Sequence, residues 1–235
     1  MFIDIHTHIM FDVDDGSQDM ETSLLMLQKE VSDGTEAVIL TPHVQSRPQK
    51  VERSVHHERF LELKKRAEEE GIKIDLYLGA EVLYRSHLEP DWNELALAGT
   101  KYVLLEFSMQ EHSPVEDVVY DVTRMRFIPI VAHVERYPYV DFDLMRRIKD
   151  LGAWIQVNAT SILGLDKKVH KKHPMKMLKE GLVDVIASDT HHITYREPNL
   201  LDCYTYLKKY FPQEELDAWF YTNPKKILSS ITKQE

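Results

Sequence analysis

His6 and His8 stand two residues apart just after the apolar run 2–5, and His43, Glu81, Glu106, His133, Asp189 and His191 each follow a short β-rich run further along the chain. On an extended strand, positions i and i+2 share a face, so the two N-terminal imidazoles can grip one ion. Asp15, in the acidic turn Asp12-Val13-Asp14-Asp15-Gly16, is near enough in sequence to return to the same place. Several carboxylates cannot all stay ionised at close range without compensation, which a divalent metal supplies. The set exceeds the roughly four to six ligands and waters of a single ion, so about two or three ions with bridging carboxylates are expected. Such a cluster lowers the pKa of bound water and holds a transferring phosphoryl group. With three divalent ions against Asp15, Glu81, Glu106 and Asp189 the pocket carries about +2, so the substrate should be an anion, most simply a phosphate. Arg136, shortly after His133, and Arg196, shortly after His191, are placed to clamp phosphate oxygens.

These side chains meet only if the strands carrying them do. Short β-rich runs predict strands at 2–5, 37–41, 74–78, 102–107, 128–132, 154–157 and 183–187, and 3.6-residue periodicity predicts helices between them. One helix covers 20–33 with Met20, Leu24, Leu27 and Val31 on its apolar face and Gly34 as C-terminal cap; another covers 54–70, burying Phe60, Leu63 and Ala67. A short helix ends near Ala98, and Ser113-Pro114-Val115-Glu116 reads as a capping box opening a helix to Met125. Further helices cover 143–151 and a stretch containing Pro174, and the chain beyond 187 reads as helical, punctuated at Pro198, Pro212 and Pro224. Strands alternating with helices imply a parallel sheet with right-handed crossovers, either a closed barrel or an open doubly wound sheet. The first turn reads His6-Thr7-His8 instead of a Gly-rich phosphate loop, which favours the barrel. In a barrel the C-terminal strand ends converge on one face, and every predicted strand except the sixth, ending at Asn158, presents a histidine or carboxylate there.

Composition agrees with one soluble domain: 235 residues, 43% hydrophobic and 29% charged. A formal net charge of −10 with no concentration of Lys and Arg excludes nucleic acid as the main partner. No apolar run approaches the roughly 20 residues of a membrane helix, so no membrane insertion is expected. The N-terminal residues lack the pattern of a secretory signal and Cys203 is the single cysteine, so the expected compartment is the cytoplasm.

Other readings of these residues are weaker. A calcium loop starting at Asp12 would place Gly16, which has no donor side chain, at its fifth position. Asp12 and Asp14 are then turn-forming or supporting residues. A cysteine nucleophile would want arginine six positions on, but Cys203 is followed there by Lys209 and by residues that read as helix. His56, His57, His87, His112, His170, His173 and His192 match no strand end and are assigned to surface or loops. Tyr137-Pro138-Tyr139 lines the cleft mouth or packs as aromatics.

Taken together, His6-Thr7-His8, the acidic turn, Thr41-Pro42-His43, Gly79-Ala80-Glu81, Leu105-Glu106-Phe107-Ser108, Ala132-His133-Val134-Glu135-Arg136-Tyr137 and Ala187-Ser188-Asp189-Thr190-His191 resemble the PHP (polymerase and histidinol phosphatase) superfamily. More narrowly, they are similar to the manganese-dependent tyrosine-protein phosphatases of capsular and exopolysaccharide gene clusters in Gram-positive bacteria. The resemblance runs from Met1 to about Asn223. It implies a distorted seven-stranded (β/α)7 barrel, the TIM-barrel-like PHP fold, as a single phosphatase domain over 1–235. It implies two or three manganese ions, with iron or zinc as alternatives, on His6, His8, Asp15, His43, Glu81, Glu106, His133, Asp189 and His191. Arg136 and Arg196 match phosphate-contacting arginines, and His43 and Asp189 are the candidates for any proton donor. The implied substrate is phosphotyrosine on a bacterial tyrosine kinase that regulates polysaccharide synthesis. A histidinol-phosphate or other small-molecule phosphatase, phosphodiester cleavage, and a non-catalytic kinase-binding module are the competing functions; the acidic balance counts against the second of these.

Overall fold

The computed structural model of the protein describes residues 1–231; the expected domain 1–235 runs four residues past them. Among the described residues the strands are β1 (Phe2–Thr7), β2 (Thr35–Leu40), β3 (His43–Val44), β4 (Asp75–Leu78), β5 (Glu81–Leu83), β6 (Tyr102–Glu106), β7 (Ile128–Val131), β8 (Trp154–Asn158) and β9 (Val185–Ala187). All pair in parallel, in two sheets ordered β1-β2-β4 and β3-β5-β6-β7-β8-β9.

The predicted second and third strands, 37–41 and 74–78, match β2 and β4, and the structure adds a short strand beyond each that the spacing does not predict: β3 after Thr41-Pro42 and β5 after Gly79-Ala80. Pro42 has no N–H for a ladder. Gly79 lies so tightly on its surroundings that a Cβ would meet Leu97 Cδ2 at 2.7 Å and Ile39 Cγ2 at 3.1 Å. The backbone carries on across the breaks, with Gly79 N–H donating to Leu40 O (2.8 Å) and Glu81 N–H to Pro42 O (3.2 Å). At the opposite edge Thr7 and Thr190 form a parallel bridge, reinforced by His8 N–H to Thr190 O (2.9 Å) and Asp189 N–H to His6 O (3.0 Å). The result is a mixed α/β fold whose parallel sheet curls until its β9 end meets β1.

Residues of alternate parity fill the two faces of the curled sheet. Ile3, Ile5, Ala37, Ile39, Leu104, Ile130, Ala132, Val185 and Ala187 share one cluster with Ile227 of the helix Asn223–Ser229. Val103, Leu105, Val131, Ile155, Val157 and Ile186 belong to another, which packs on the helices Val115–Arg124 and Phe142–Asp150. Parallel strands covered on both faces must be apolar at nearly every position, and each aliphatic side chain so buried contributes about 1.5–3 kcal/mol. Near its end β1 changes parity: the three steps from Asp4 to Thr7 lie opposite only two on β2, Val38 to Leu40. This bulge comes just where His6 must be aimed.

Several local expectations need correction. The helix Val115–Arg124 opens at Pro114 without a side-chain cap, so the capping box does not form; Val115 N–H donates to the Ser113 carbonyl instead. The helix Met20–Ser32, capped by Asp19, turns Glu30 inward and leaves Val31 37% exposed, because its buried stripe runs through Ser23, Leu24, Met26 and Leu27. His56 is buried, on the stripe of the helix Arg53–Glu69 that also carries Leu63 and Ala67. Burial and the neighbouring Arg53 push its imidazole down to about 4.

Glu30 yields a stability prediction. One carboxylate oxygen accepts from Thr35 Oγ1 at 2.7 Å and the other, buried, has no partner. Burial, followed by the Asp4 carboxylate, pushes Glu30 well above the ordinary value of 4.5. A raised folded-state value means stability that is complete below the unfolded value and is lost as pH rises through the folded one. Glu30→Gln keeps the acceptor for Thr35 and removes the charge. Thermal unfolding should therefore show the variant melting roughly 2–4 °C above the parent at pH 8 and level with it at pH 4; a variant that melts lower at pH 8 contradicts this account.

Candidate metal centre

The strand ends bring all nine predicted ligands to one place. His6 lies on β1 and His8 just beyond it, His43 opens β3, Glu81 opens β5, and Glu106 closes β6. His133 follows β7, and Asp189 and His191 follow β9. Both His133 and Asp189 take left-handed backbone conformations, with φ of 30° and 53°. Non-glycine residues held there cost of order 1 kcal/mol or more, and such strain concentrates at functional sites.

Three groups of potential donor atoms lie mutually within 4.8 Å: His8, Asp15, His43 and His191; His6, His8 and Glu81; His43, Glu81 and Glu106. Glu81 is shared, with Oε2 at 3.3 Å from His6 Nε2, 3.2 Å from His8 Nε2 and 3.0 Å from His43 Nδ1, and Oε1 at 2.7 Å from His133 Nε2. Asp15 Oδ1 lies 3.5 Å from His43 Nε2 and 3.4 Å from His191 Nε2. Asp189 Oδ1 lies 3.5 Å from His6 Nε2 and 3.6 Å from His8 Nε2.

Outer contacts fix which nitrogen of each ring faces inward. His8 Nδ1 donates to Asp14 Oδ2 (2.8 Å), His6 Nδ1 to Gln156 Oε1 (3.1 Å) and His191 Nδ1 to the Asp189 carbonyl (3.0 Å), leaving each Nε2 for the centre. His133 Nδ1 lies 3.1 Å from Tyr137 Oη, which also accepts from Phe107 N–H. Hydrogen bonds of this kind orient metal-binding imidazoles. Tyr137 is thus a buried support for His133, which decides between the two readings left open for it.

Electrostatics and unmet hydrogen bonds test whether a cation belongs here. Burial works against the charge of Glu81, yet the imidazoles of His6, His43 and His133 outweigh it and hold the carboxyl well below its usual range. Burial, with Glu81 and Asp189 adding repulsion, drives Glu106 well above it. The buried atoms His43 Nδ1, Glu81 Oε2 and Glu106 Oε2 make no hydrogen bond of acceptable geometry although they converge, His43 Nδ1 being 3.0 Å from Glu81 Oε2 and 3.6 Å from Glu106 Oε2. Buried polar atoms are normally satisfied, and a place for a bound ion is one of the few reasons for an exception. Imidazole nitrogens with carboxylate oxygens and no thiolate suit first-row divalent ions. The residues present therefore fit a divalent metal cluster.

Both arginines reach the centre, where each contacts Asp189. Arg136 donates through Nη1 to Asp189 Oδ2 (3.0 Å) and through Nε to Asp166 Oδ2 (2.9 Å). Arg196 Nη2 lies 2.8 Å from Asp189 Oδ2, and Asn158 Nδ2 donates to the same oxygen at 2.7 Å. Among the described residues Arg136 Nη2 and Arg196 Nη1 are left without a partner. Burial opposes ionisation of Asp189, but Arg196, His6, His191 and Arg136 hold it well below the carboxylate range, so it has no proton to give. Burial lowers His43, which keeps that imidazole neutral and suited to a ligand role.

Sequence reasoning missed Gln156, Asn158 and Asp166. Gln156 Oε1 also accepts from His133 N–H (2.9 Å) and its Nε2 donates to Asn158 Oδ1 (2.7 Å). The signal was available: two amides on an otherwise apolar buried strand. Cys203, by contrast, is fully buried, and burial raises its thiol far above the reactive range.

Residues 2–229 match the family described as Capsular polysaccharide synthesis, CpsB/CapC. The chain is 30% identical to the tyrosine-protein phosphatase CpsB of Streptococcus agalactiae over 239 residues, which span 97% of this chain and 98% of that protein. A solved chain from work on YwqE of Bacillus subtilis and CpsB of Streptococcus pneumoniae, described as unique metal-dependent tyrosine phosphatases, superposes with a TM-score of 0.88 at 29% identity and covers 98% of this chain and 95% of that one. An organophosphorus hydrolase variant from Deinococcus radiodurans shares the fold, with a TM-score of 0.64 at 12% identity over 96% of this chain and 92% of that one.

Proposed function

The chain belongs to the CpsB/CapC family of capsular polysaccharide synthesis, and from that premise we propose that it is a metal-dependent protein-tyrosine phosphatase acting on a phosphorylated tyrosine kinase of the polysaccharide pathway. The observation that carries the reading is the convergence of buried imidazoles and carboxylates with unmet polar atoms at their centre. We assign His6, His8, Asp15, His43, Glu81, Glu106, His133, Asp189 and His191 as ligands of two or three divalent ions, manganese first among them, in one phosphatase domain over 1–235 that works in the cytoplasm. We read the two sheets, joined across their breaks, as one distorted seven-stranded barrel. No helix among the described residues is long and apolar enough to cross a membrane.

Bound divalent ions supply Lewis-acid stabilisation of phosphoryl oxygens and a lowered pKa for the attacking water. The chain's own residues do the positioning. Arg136 and Arg196 present their free guanidinium nitrogens to equatorial phosphoryl oxygens, where charge-assisted hydrogen bonds strengthen as negative charge develops. Glu81 and Asp189, held ionised by their neighbours, would offset the positive charge of the bound ions. The leaving group of phosphotyrosine is a phenolate with a pKa of about 10, far less basic than a serine alkoxide, so no carboxylic acid is required to protonate it.

Phosphate release should be measured with manganese-loaded protein on a phosphotyrosine peptide, a phosphoserine peptide and histidinol phosphate, each repeated after chelation. Chelator-sensitive turnover of phosphotyrosine is expected. Preference for histidinol phosphate, or no turnover, overturns the assignment.

Asp166 is a positioning residue for Arg136, since it holds Nε and thereby turns the rest of the fork to the site. Asp166→Ala should raise KM for the phosphotyrosine peptide about tenfold, the ~1.4 kcal/mol of one oriented charged contact, with a smaller change in kcat. Asp166→Asn, which keeps an oxygen acceptor for Nε–H, should restore most of the loss. Unchanged KM in the alanine variant contradicts the role.

A further inference from the structure

Beside the metal centre opens a cleft of about 970 Å³, with Glu106 and Arg136 at its floor. That lies near the top of the roughly 300–1,000 Å³ range of ligand pockets, and one phosphotyrosyl side chain leaves much of it unfilled. Its rim carries Arg47, Arg85 and Lys168, from three separate segments of the chain. All three are exposed, and among the described residues none has a carboxylate within ion-pair distance. Arg136, by contrast, is held by two carboxylates. Arg85 is also fixed in place, its Nε donating to the Gln45 carbonyl at 3.2 Å. Glu111 is the one exposed carboxylate on the same rim, while Glu135 is buried and accepts from Asn158 N–H.

Unpaired cations gathered on one cleft run against the character of a chain whose net charge is −10. They are not needed for the phosphate itself, which the ligand cluster and the two inner arginines address. A cationic rim around an anion site attracts further negative charge on the same substrate and repels basic segments. We propose that Arg47, Arg85 and Lys168 form a subsite that reads acidic residues flanking the phosphotyrosine, so that the substrate is an acidic phosphopeptide segment lying along the cleft. The proposal rests on the phosphatase reading and deepens it.

Two peptides that differ only in Glu or Gln beside the phosphotyrosine test it. At low salt the Glu peptide should show about tenfold higher kcat/KM, and the ratio should shrink as ionic strength rises and screens exposed charges. Arg47→Gln, Arg85→Gln and Lys168→Gln should each lower the ratio, and combined they should bring it close to one. Because the readout compares two peptides on one preparation, a partly unfolded variant does not distort it. Charge reversal with Arg85→Glu and Lys168→Glu should turn the preference toward a peptide with flanking Lys. Turnover of both peptides at equal rates by the parent enzyme overturns the subsite, as does a ratio that the variants leave unchanged. Failure to release phosphate from p-nitrophenyl phosphate as well would instead overturn the phosphatase reading beneath it.

Discussion

Asp189→Ala should lower kcat/KM on a phosphotyrosine peptide by about a thousandfold or more and leave the purified protein depleted of metal. Asp189 Oδ1 faces His6 and His8, while Oδ2 takes Arg136, Arg196 and Asn158. Its removal deletes a proposed ligand and at once strands two guanidinium groups. Taking away one partner of a buried ion pair costs about 3–5 kcal/mol, and less for the partly exposed Arg196. The alanine variant should therefore melt lower as well, so activity must be read on folded protein. Asp189→Asn separates the two effects, since an amide keeps the shape and an acceptor oxygen but not the charge. It should lose less stability than the alanine variant, since the guanidinium groups keep an acceptor, and still lose metal and turnover. Metal content after dialysis, read beside phosphate release, decides the matter; normal turnover by either variant would show that Asp189 is no ligand.

The second large effect is expected from the smallest substitution. Gly16 follows Asp15, and a Cβ there would sit 2.1 Å from the His8 carbonyl oxygen and 2.6 Å from His8 Cβ. Neither neighbour is a flexible side-chain end that can swing aside. The same turn supplies Asp14, which accepts from His8 Nδ1 (2.8 Å) and from His43 N–H (3.0 Å). Gly16→Ala must lift the turn off His8 and so disturb His8, His43 and Asp15 together. A loss of about 2–4 kcal/mol in stability is expected, with roughly 10–100-fold weaker metal retention. A chelator titration followed by residual activity measures the second quantity, and an unchanged midpoint would refute the argument.

Much of the site was legible because parallel strands concentrate chemistry at their C-terminal ends. Apolar runs mark the strands, so the first polar residues after them, from His6 to His191, could be read as one constellation. What escaped depends on facts that single-residue patterns do not carry. The β1 bulge changes which residues face inward, and nothing in Asp4-Ile5-His6-Thr7 announces it. The short strands β3 and β5, beyond Pro42 and Gly79, lie past the points where the spacing ends the second and third strands. Asp166 reaches Arg136 from thirty residues away, a pairing visible only once the chain is folded. His56 was missed for a different reason: its helical phase with Leu63 and Ala67 pointed inward, but its polarity was given more weight than its position.

The bridge between Thr7 and Thr190 has a consequence for how the protein comes into being. His8 and Asp189 are tied to opposite edges of the curled sheet by hydrogen bonds across more than 180 residues of sequence. Contacts so distant in the chain form late, since loop-closure entropy must be met before they reward it. A nascent polypeptide still lacking the segment after β9 holds His6, His8 and Glu81 but not the carboxylate and imidazole that complete the ring around them. On the proposed ligand set, full metal capture would wait for synthesis to pass His191, and the ion would act as the latch on a curled sheet whose seam is the last part to shut.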